Sequence, residues 1–99
     1  MPRIFLDVDP RELRVPTSRP TGADSVKLQR QIVQYGASSV GMPPILVYEG
    51  SDGVFVIFNG VTRATRIAKF SPGKLVRVEV LGTIKRAFAN LPKVGDFIP

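Results

Sequence analysis

The sequence predicts a small α+β domain in which a mixed β-sheet packs against two to three helices. Three apolar and β-branched runs predict strands, at residues 45–49, 54–58 and 74–81. Two other stretches repeat apolar side chains at spacings of three and four and predict helices, at residues 24–35 and 60–70. The 99 residues are enough to bury one modest core. We therefore expect one domain over residues 1–99, with its core in residues 4–81 and a C-terminal helix and tail in residues 83–99.

The first part of the chain is expected to contain a strand, a loop and a helix. Residues 3–8 alternate enough to form the first strand. Residues 17–22, Thr-Ser-Arg-Pro-Thr-Gly, are rich in hydroxyl groups and turn formers and predict a loop. A helix then begins at Asp24 or Ser25, and Gly36 ends it as the C-cap.

Turn signals and alternation predict the remaining elements. The segment Gly50-Ser-Asp-Gly53 predicts a hairpin turn between the second and third strands. The fourth strand alternates strictly and has one face made of Val76, Val78 and Val80. Thr83 is the predicted cap of a last short helix, which extends to Asn90 and is followed by an irregular tail.

The junction between the third strand and the second predicted helix carries the clearest functional signal. Asn59 is suited to cap the helix, and Gly60 allows the backbone to approach a ligand closely. Thr62, Arg63 and Arg66 follow in the first two turns, where unpaired N–H groups and the helix dipole favour an anion. A strand that ends in Gly-Val-Thr-Arg at a helix N-terminus therefore predicts a phosphate-binding site.

Two plainer interpretations compete with the phosphate site. Asn-Gly also favours a type I′ hairpin turn, but residues 61–70 have helical spacing rather than alternation. The second accepts the helix and treats Arg63, Arg66 and Lys69 as an exposed and solvated basic face.

Composition limits the chemistry and the partners. The chain has 14 Lys and Arg against 8 Asp and Glu, with a net charge of +6, which suits a nucleotide or nucleic acid but also serves solubility in general. It has no Cys and no His, so thiol nucleophiles, imidazole bases, disulfides and thiolate or imidazole metal sites are excluded. The cysteine-free composition fits a reducing cytoplasm. No apolar run is long enough to cross a membrane, and the charged start does not fit a signal peptide.

The order of these elements resembles the N-terminal ParB/sulfiredoxin-like superfamily over residues 4–81. The resemblance rests on a leading strand, a helix, a Pro-Ile-x-Val strand, a strand that ends in Gly-x-x-Arg, a second helix and a Val-rich strand. In this sequence the three motifs are Pro44-Ile-Leu-Val47, Phe58-Asn-Gly-Val-Thr-Arg63 and Val76-Arg-Val-Glu-Val80.

The resemblance implies that nucleotide phosphate is bound at the Gly-x-x-Arg turn. It assigns backbone N–H groups to Gly60, Val61 and Thr62, a hydroxyl group to Thr62 and a phosphate-pairing guanidinium to Arg63. The earlier helix would contribute further contacts through Lys27, Arg30 and Gln34. The sequence leaves the cofactor unassigned, with a nucleoside triphosphate and Mg²⁺ as one candidate.

Departures from the family pattern limit what can be transferred. The residue after the glycine is the reactive Cys in sulfiredoxins and the Glu of Gly-Glu-Arg-Arg in ParB proteins, and here it is Val61. Thr62 replaces the first Arg of that motif. Sulfiredoxin chemistry is therefore excluded, and binding is favoured over nucleotide hydrolysis.

The sequence therefore favours a phosphate-binding ParB-like domain with a DNA-linked or regulatory role, and two alternatives stay open. One is a metal-dependent nuclease or nucleotide hydrolase that uses carboxylates from Asp7, Asp9, Asp24 or Glu49. The other is a non-catalytic interaction module. Apolar residues of the C-terminal segment are expected to pack on the sheet, the alternative being a homodimer or protein-partner surface: Phe88, Leu91, Phe97 and Ile98.

Overall fold

The computed structural model of the protein describes residues 3–98. Within that range the elements are β1 (Ile4–Val8), α1 (Ser25–Tyr35), β2 (Ile45–Glu49), β3 (Phe55–Asn59), α2 (Val61–Phe70) and β4 (Val76–Thr83). Two short 3₁₀ helices lie at Pro10–Glu12 and Val94–Phe97. The predicted α+β class is confirmed, with two α-helices in the described residues.

The four strands form one mixed sheet in the order β1-β4-β2-β3. β1 is antiparallel to β4, and β2 is antiparallel to β3. The central pair, β2 and β4, is parallel, with Ile45 beside Val78 and Val47 beside Val80. The chain passes from β2 to β4 through β3 and α2, so the β3–α2 junction lies at one end of the sheet.

The core lies between α2 and one face of the sheet. The inward residues predicted for this helix are buried as expected: Val61, Ala64, Ile67 and Ala68. They pack in one cluster with Ile45 and Val47 of β2 and with Val76 and Val78 of β4. The alternation of β4 is therefore confirmed, since its valines enter the core or pack against it.

α1 differs from α2 because none of its residues is fully buried. Asp24 caps its N-terminus, and Gly36, with a φ of +58°, ends it as predicted. The helix lies against α2 rather than over the sheet. It therefore depends on few apolar contacts for its position.

The predicted helix at residues 83–90 is wrong. Thr83 continues β4, and the next residue, Ile84, donates from its N–H to the carbonyl of Glu49 at 2.8 Å. The Asp52 carboxylate then accepts from the N–H groups of Phe88 and Ala89, at 3.0 and 2.9 Å. These tertiary acceptors take the backbone groups that a helix would pair internally.

The expected packing of the C-terminal segment is confirmed although its helix is not. Phe88 is 6% exposed, and Phe97 and Ile98 pack against the core cluster, which also includes the fully buried Val94. The N–H of Val94 donates to the carbonyl of Leu13 at 2.8 Å, which ties this segment to the chain after β1. Between residues 3 and 98, no helix has both the length and the apolar character needed to cross a membrane.

Candidate functional site

A cavity of about 380 Å³ lies at the junction between β3 and α2. Its residues come from the end of β3, the first turn of α2, one side of α1 and the loop before α1. The polar and charged side chains among them are Ser18, Arg19, Asp24, Lys27, Gln31, Asn59, Thr62 and Arg63. The region where the sequence predicts phosphate binding is therefore a concave surface in the folded chain.

Gly60 shapes the floor of this cavity. Its φ of +121° is accessible to glycine but rarely to other residues. A Cβ atom here would lie 3.1 Å from Cγ1 of Ile45 and 3.2 Å from Nη2 of Arg63. Gly60 therefore satisfies both a backbone requirement and a space requirement set by Ile45 and Arg63.

The N-terminus of α2 has no side-chain cap. Gly60 is the N-cap residue, and the first helical hydrogen bond runs from the N–H of Ala64 to the Gly60 carbonyl. The N–H groups of the preceding residues have no acceptor within the helix. The prediction that Asn59 caps this helix is wrong, because Asn59 belongs to β3 and its Oδ1 instead accepts from Nη2 of Arg63 at 3.4 Å.

Arg63 is fixed beside this open helix end. Its Nη1 donates to the carbonyls of Pro43 and Pro44 at 3.2 and 3.3 Å. Burial lowers the pKa of the Arg63 guanidinium from its ordinary value. The bonds to residues 43–44 therefore hold a partly desolvated cation at the cavity wall, where an anion would interact with it strongly.

The opposite wall is formed by α1 and the loop before it. Arg19 and Lys27 add two cations there, and Asp24 adds the single carboxylate of the lining. Oδ1 of Asp24 accepts from the N–H groups of Val26 and Lys27, at 2.9 and 3.1 Å. These bonds lower the pKa of Asp24, so it stays a cap rather than a proton donor near neutral pH. Together with Arg63, the lining has three cations and one anion.

The predicted exposure of Arg66 is wrong. Arg66 is 1% exposed and its Nη1 donates to the carbonyls of Gly36 and Ser38, at 2.9 and 2.6 Å. Its guanidinium also lies 5.3 Å from the Tyr35 ring centroid. Arg66 does not line the cavity, and its contacts hold α2 against the end of α1.

Arg30 and Gln34 also lie away from the cavity. They line a shallow surface on the outer side of α1 with Val26 and Val33, which are 58% and 78% exposed. Of the predicted phosphate-binding residues, the structure thus brings together Gly60, Val61, Thr62, Arg63 and Lys27, and it does not bring Arg66 or Arg30 to them.

Eight residues of the lining lie outside the predicted phosphate-binding set, and three of them, Arg19, Gln31 and Phe58, have side chains suited to ligand contact. A sequence signal existed for Arg19, a lone cation in a hydroxyl-rich loop. For Gln31 the signal was its position four residues after Lys27 on the same helix face. Phe58 is the last aromatic residue before the glycine turn, and its side chain is 65% exposed.

The carboxylates of the nuclease alternative lie on separate elements. Asp7 on β1 faces Arg77, with 3.7 Å between Oδ1 and Nε. Asp9 accepts from the N–H of Arg11 at the start of a 3₁₀ helix, and Asp24 caps α1. Within residues 3–98 no three carboxylate groups come together as a metal-binding cluster.

Comparison with known proteins gives no family assignment. No protein-family model matches the chain, and no curated protein matches it. The inference about function therefore depends on the site itself.

Proposed function

We propose that this domain binds the phosphate groups of a nucleotide or a nucleic acid at the N-terminus of α2. The observation that supports this most directly is the uncapped helix end at the floor of a cavity whose walls carry Arg19, Lys27 and Arg63. Free N–H groups, the positive end of the helix dipole and cationic side chains all favour an anion.

The electrostatic balance supports a ligand with more than one negative charge. The lining has a surplus of two positive charges, and the whole chain carries +6. Arg63 provides a planar donor group suited to phosphate oxygens, and Lys27 provides a compact charge on the facing helix. A di- or triphosphate or a nucleic-acid backbone fits this arrangement better than a single carboxylate.

The proposed site corresponds to the Gly-x-x-Arg position of the ParB/sulfiredoxin-like pattern, and membership of that superfamily is part of the proposal. A regulatory or DNA-linked role in the cytoplasm follows from the same resemblance and from the absence of cysteine in the sequence. Arg66 has a different part in the proposal. It positions α1, and thereby Lys27, rather than contacting the phosphate.

The test compares two cations of α1 that are three residues apart. Lys27 lines the cavity and Arg30 lies on the outer side of the helix, so Lys27→Ala and Arg30→Ala remove the same charge from the same element. Calorimetric titration with ATP and with tripolyphosphate should show a loss of about 3- to 10-fold for Lys27→Ala and less than about 2-fold for Arg30→Ala, because only the first charge is near the ligand. Equal losses would indicate diffuse attraction to a basic protein and would contradict the site.

A second pair of variants tests α2. Arg63→Ala should weaken binding by at least about 10-fold, since charge-assisted bonds to an anion contribute about 1.5–3 kcal/mol. Lys69→Ala, two turns further along, should change binding by less than about 2-fold.

In wild-type protein, ATP at 100 times its dissociation constant should add about 2.7 kcal/mol to the free energy of unfolding. The same samples, incubated with Mg²⁺ or Mn²⁺, should release little phosphate; turnover that is lost in Asp7→Asn or Asp9→Asn would favour the hydrolase alternative instead.

A further inference from the structure

A second, larger concave surface adjoins the phosphate cavity on the side of β3. Its volume is about 660 Å³, and we call it the apolar groove. The two cavities share Pro16 and Phe58, which line both of them. The residues that define the groove besides these two are Thr17, Tyr48, Val56, Ile57, Ile84, Arg86, Ala87, Phe88, Asn90 and Leu91.

Phe58 is the most unusual residue of this boundary. Its neighbour Ile57 is buried in the core, and the alternation of β3 directs Phe58 to the other face of the sheet. The Phe58 ring is supported by Tyr48 in an edge-to-face contact, with 5.7 Å between the ring centroids and 89° between the planes. It nevertheless remains 65% exposed. The fold thus holds a large aromatic ring in place without covering it.

The groove and the cavity differ in chemistry. Val56, Ile57, Phe88 and Leu91 give the groove an apolar lining, and Arg86 is its single charged side chain. No carboxylate is among its lining residues. Asn90 and Arg86 provide hydrogen-bonding groups. A flat aromatic group with polar edges, connected to a phosphate, would satisfy both surfaces together.

We propose that the apolar groove takes an unpaired nucleobase whose own or adjacent phosphate lies at the N-terminus of α2, and that Phe58 stacks on this base. The proposal rests on the phosphate site described above and specifies its ligand. A sugar joins base to phosphate in every nucleotide, and Phe58 lines both the cavity and the groove, so adjoining sites for phosphate and base are available. Bases in a duplex are already stacked and paired, so the ligand is a free nucleotide or a single strand.

The test uses four ligands: tripolyphosphate, which has no base, ATP, which has one, a 5′-phosphorylated single-stranded dT oligonucleotide, whose bases are unpaired, and the duplex of that strand with its complement, whose bases are paired. ATP or the single strand should bind at least 5-fold more tightly than tripolyphosphate, because stacking on an aromatic ring adds to the phosphate contacts. The duplex should bind at least 5-fold more weakly than the single strand. Binding of ATP alone would identify a free nucleotide as the source of the base, and tighter binding of the single strand would identify a nucleic acid.

Phe58→Ala is the decisive variant, and Phe5→Ala is its matched control. Phe5 is also a partly exposed aromatic residue of the sheet, at 39%, but it lies on β1 at the opposite edge. Phe58→Ala should weaken ATP or single-strand binding by about 5- to 100-fold and tripolyphosphate binding by less than 2-fold, whereas Phe5→Ala should change neither. Phe58→Trp should retain or increase base binding. An unchanged melting temperature for Phe58→Ala, expected from its exposure, confirms that the fold is intact.

The outcomes separate this proposal from the phosphate site. If tripolyphosphate binds as tightly as ATP and the single strand, and Phe58→Ala changes none of them, the groove proposal is overturned and the phosphate site stands. If none of the four ligands binds, both fail. The proposal of an unpaired base would also be overturned if the duplex and the single strand bound equally. Binding of a phosphotyrosine peptide or of anionic vesicles in place of the nucleotides would overturn it as well.

Discussion

Arg66 of α2 donates a hydrogen bond from Nη1 to the carbonyl of Gly36, the residue that ends α1, at 2.9 Å. A second bond from the same nitrogen reaches the carbonyl of Ser38. Since α1 has no fully buried residue, this buried guanidinium is an important attachment of its C-terminal end to α2. One wall of the cavity at the N-terminus of α2 therefore depends on a residue that does not line it.

Arg66→Met should loosen α1 and lower the free energy of unfolding by about 2–3 kcal/mol, because hydrogen bonds to a charged group are lost and two carbonyls lose their donor. Amide hydrogen exchange should accelerate most in α1. Arg66→Lys keeps the charge but not the planar guanidinium, so its free energy of unfolding should lie between those of wild type and Arg66→Met. Arg30→Met, on the outer side of α1, is the control and should stay within about 0.5 kcal/mol of wild type. Equal exchange rates in wild type and Arg66→Met would contradict the attachment.

Gly60→Ala should be costly for two reasons that can be separated. The φ of +121° strains any other residue, and the new Cβ would lie 3.1 Å from Ile45. Gly53→Ala has backbone strain, since the φ of Gly53 is +76°, but no steric conflict, since no atom lies within 4 Å of the added Cβ. We expect a loss of about 1–2 kcal/mol for Gly53→Ala and at least 1 kcal/mol more for Gly60→Ala, measured by urea unfolding. Similar losses would show that the space below Gly60 is not needed.

The carboxylate of Asp52 should contribute to acid sensitivity. Its burial raises the pKa, but donation from the backbone N–H groups of Ala89, Val54 and Phe88 outweighs this and lowers the pKa overall. Because the folded-state pKa lies below the unfolded value of about 3.9, the ionised carboxylate stabilises the protein fully above that value, and the stabilisation is lost as the pH falls from there through the folded-state pKa. Asp52→Asn should therefore be less stable than wild type at pH 7 and should lose less on transfer to pH 3.

The control for this experiment is Asp7→Asn. It removes an exposed carboxylate that is 3.7 Å from Arg77, so the free energy of unfolding at pH 7 should change by less than about 0.5 kcal/mol. Urea midpoints at both pH values measure the effect. A wild-type protein whose stability is the same at pH 3 and pH 7 would contradict the role of Asp52.

Val61→Glu should destabilise the domain rather than introduce an active-site acid. Val61 is 8% exposed and belongs to the core cluster, so a carboxylate in place of its side chain would lose water among apolar groups. We expect a loss of about 3 kcal/mol or more in thermal or urea unfolding. Thr62→Arg is the control, since Thr62 is only partly buried and its side chain lines the cavity, and it should cost less than about 1 kcal/mol. A stable Val61→Glu protein would show that this position can hold the acid of the Gly-Glu-Arg-Arg pattern.

The sequence was sufficient where local periodicity and burial agree. The valines of β4, the inward residues of α2 and the hairpin turn at residues 50–53 are all found as predicted, because each depends on its immediate neighbours. Asn59 shows where prediction from the local sequence fails. A cap residue is suggested by its type, but Gly60 takes the cap position since only glycine adopts the φ that turns β3 into α2.

Residues whose environment is built by distant parts of the chain were not predictable. Arg66 has the helical spacing of a surface residue, and only the return of residues 36–38 past α2 buries it. Thr83 resembles a helix cap, but pairing with Glu49 makes it the end of a strand. Phe58 lies between two cavities because residues 84–91 fold back beside β3, which no pattern in residues 54–60 indicates.

The pairing of β1 with β4 has a consequence for the order in which the chain folds. Val8 and Val76 are partners in the sheet but are 68 positions apart in sequence. During synthesis at about 5–20 residues per second, β1 leaves the ribosome several seconds before β4, its only partner strand in the described sheet. Ile4, Phe5 and Leu6 are without a partner for that interval, and contacts this distant close slowly. The apolar residues of β1 are therefore exposed to aggregation or chaperone binding before the cavity at the N-terminus of α2 has formed.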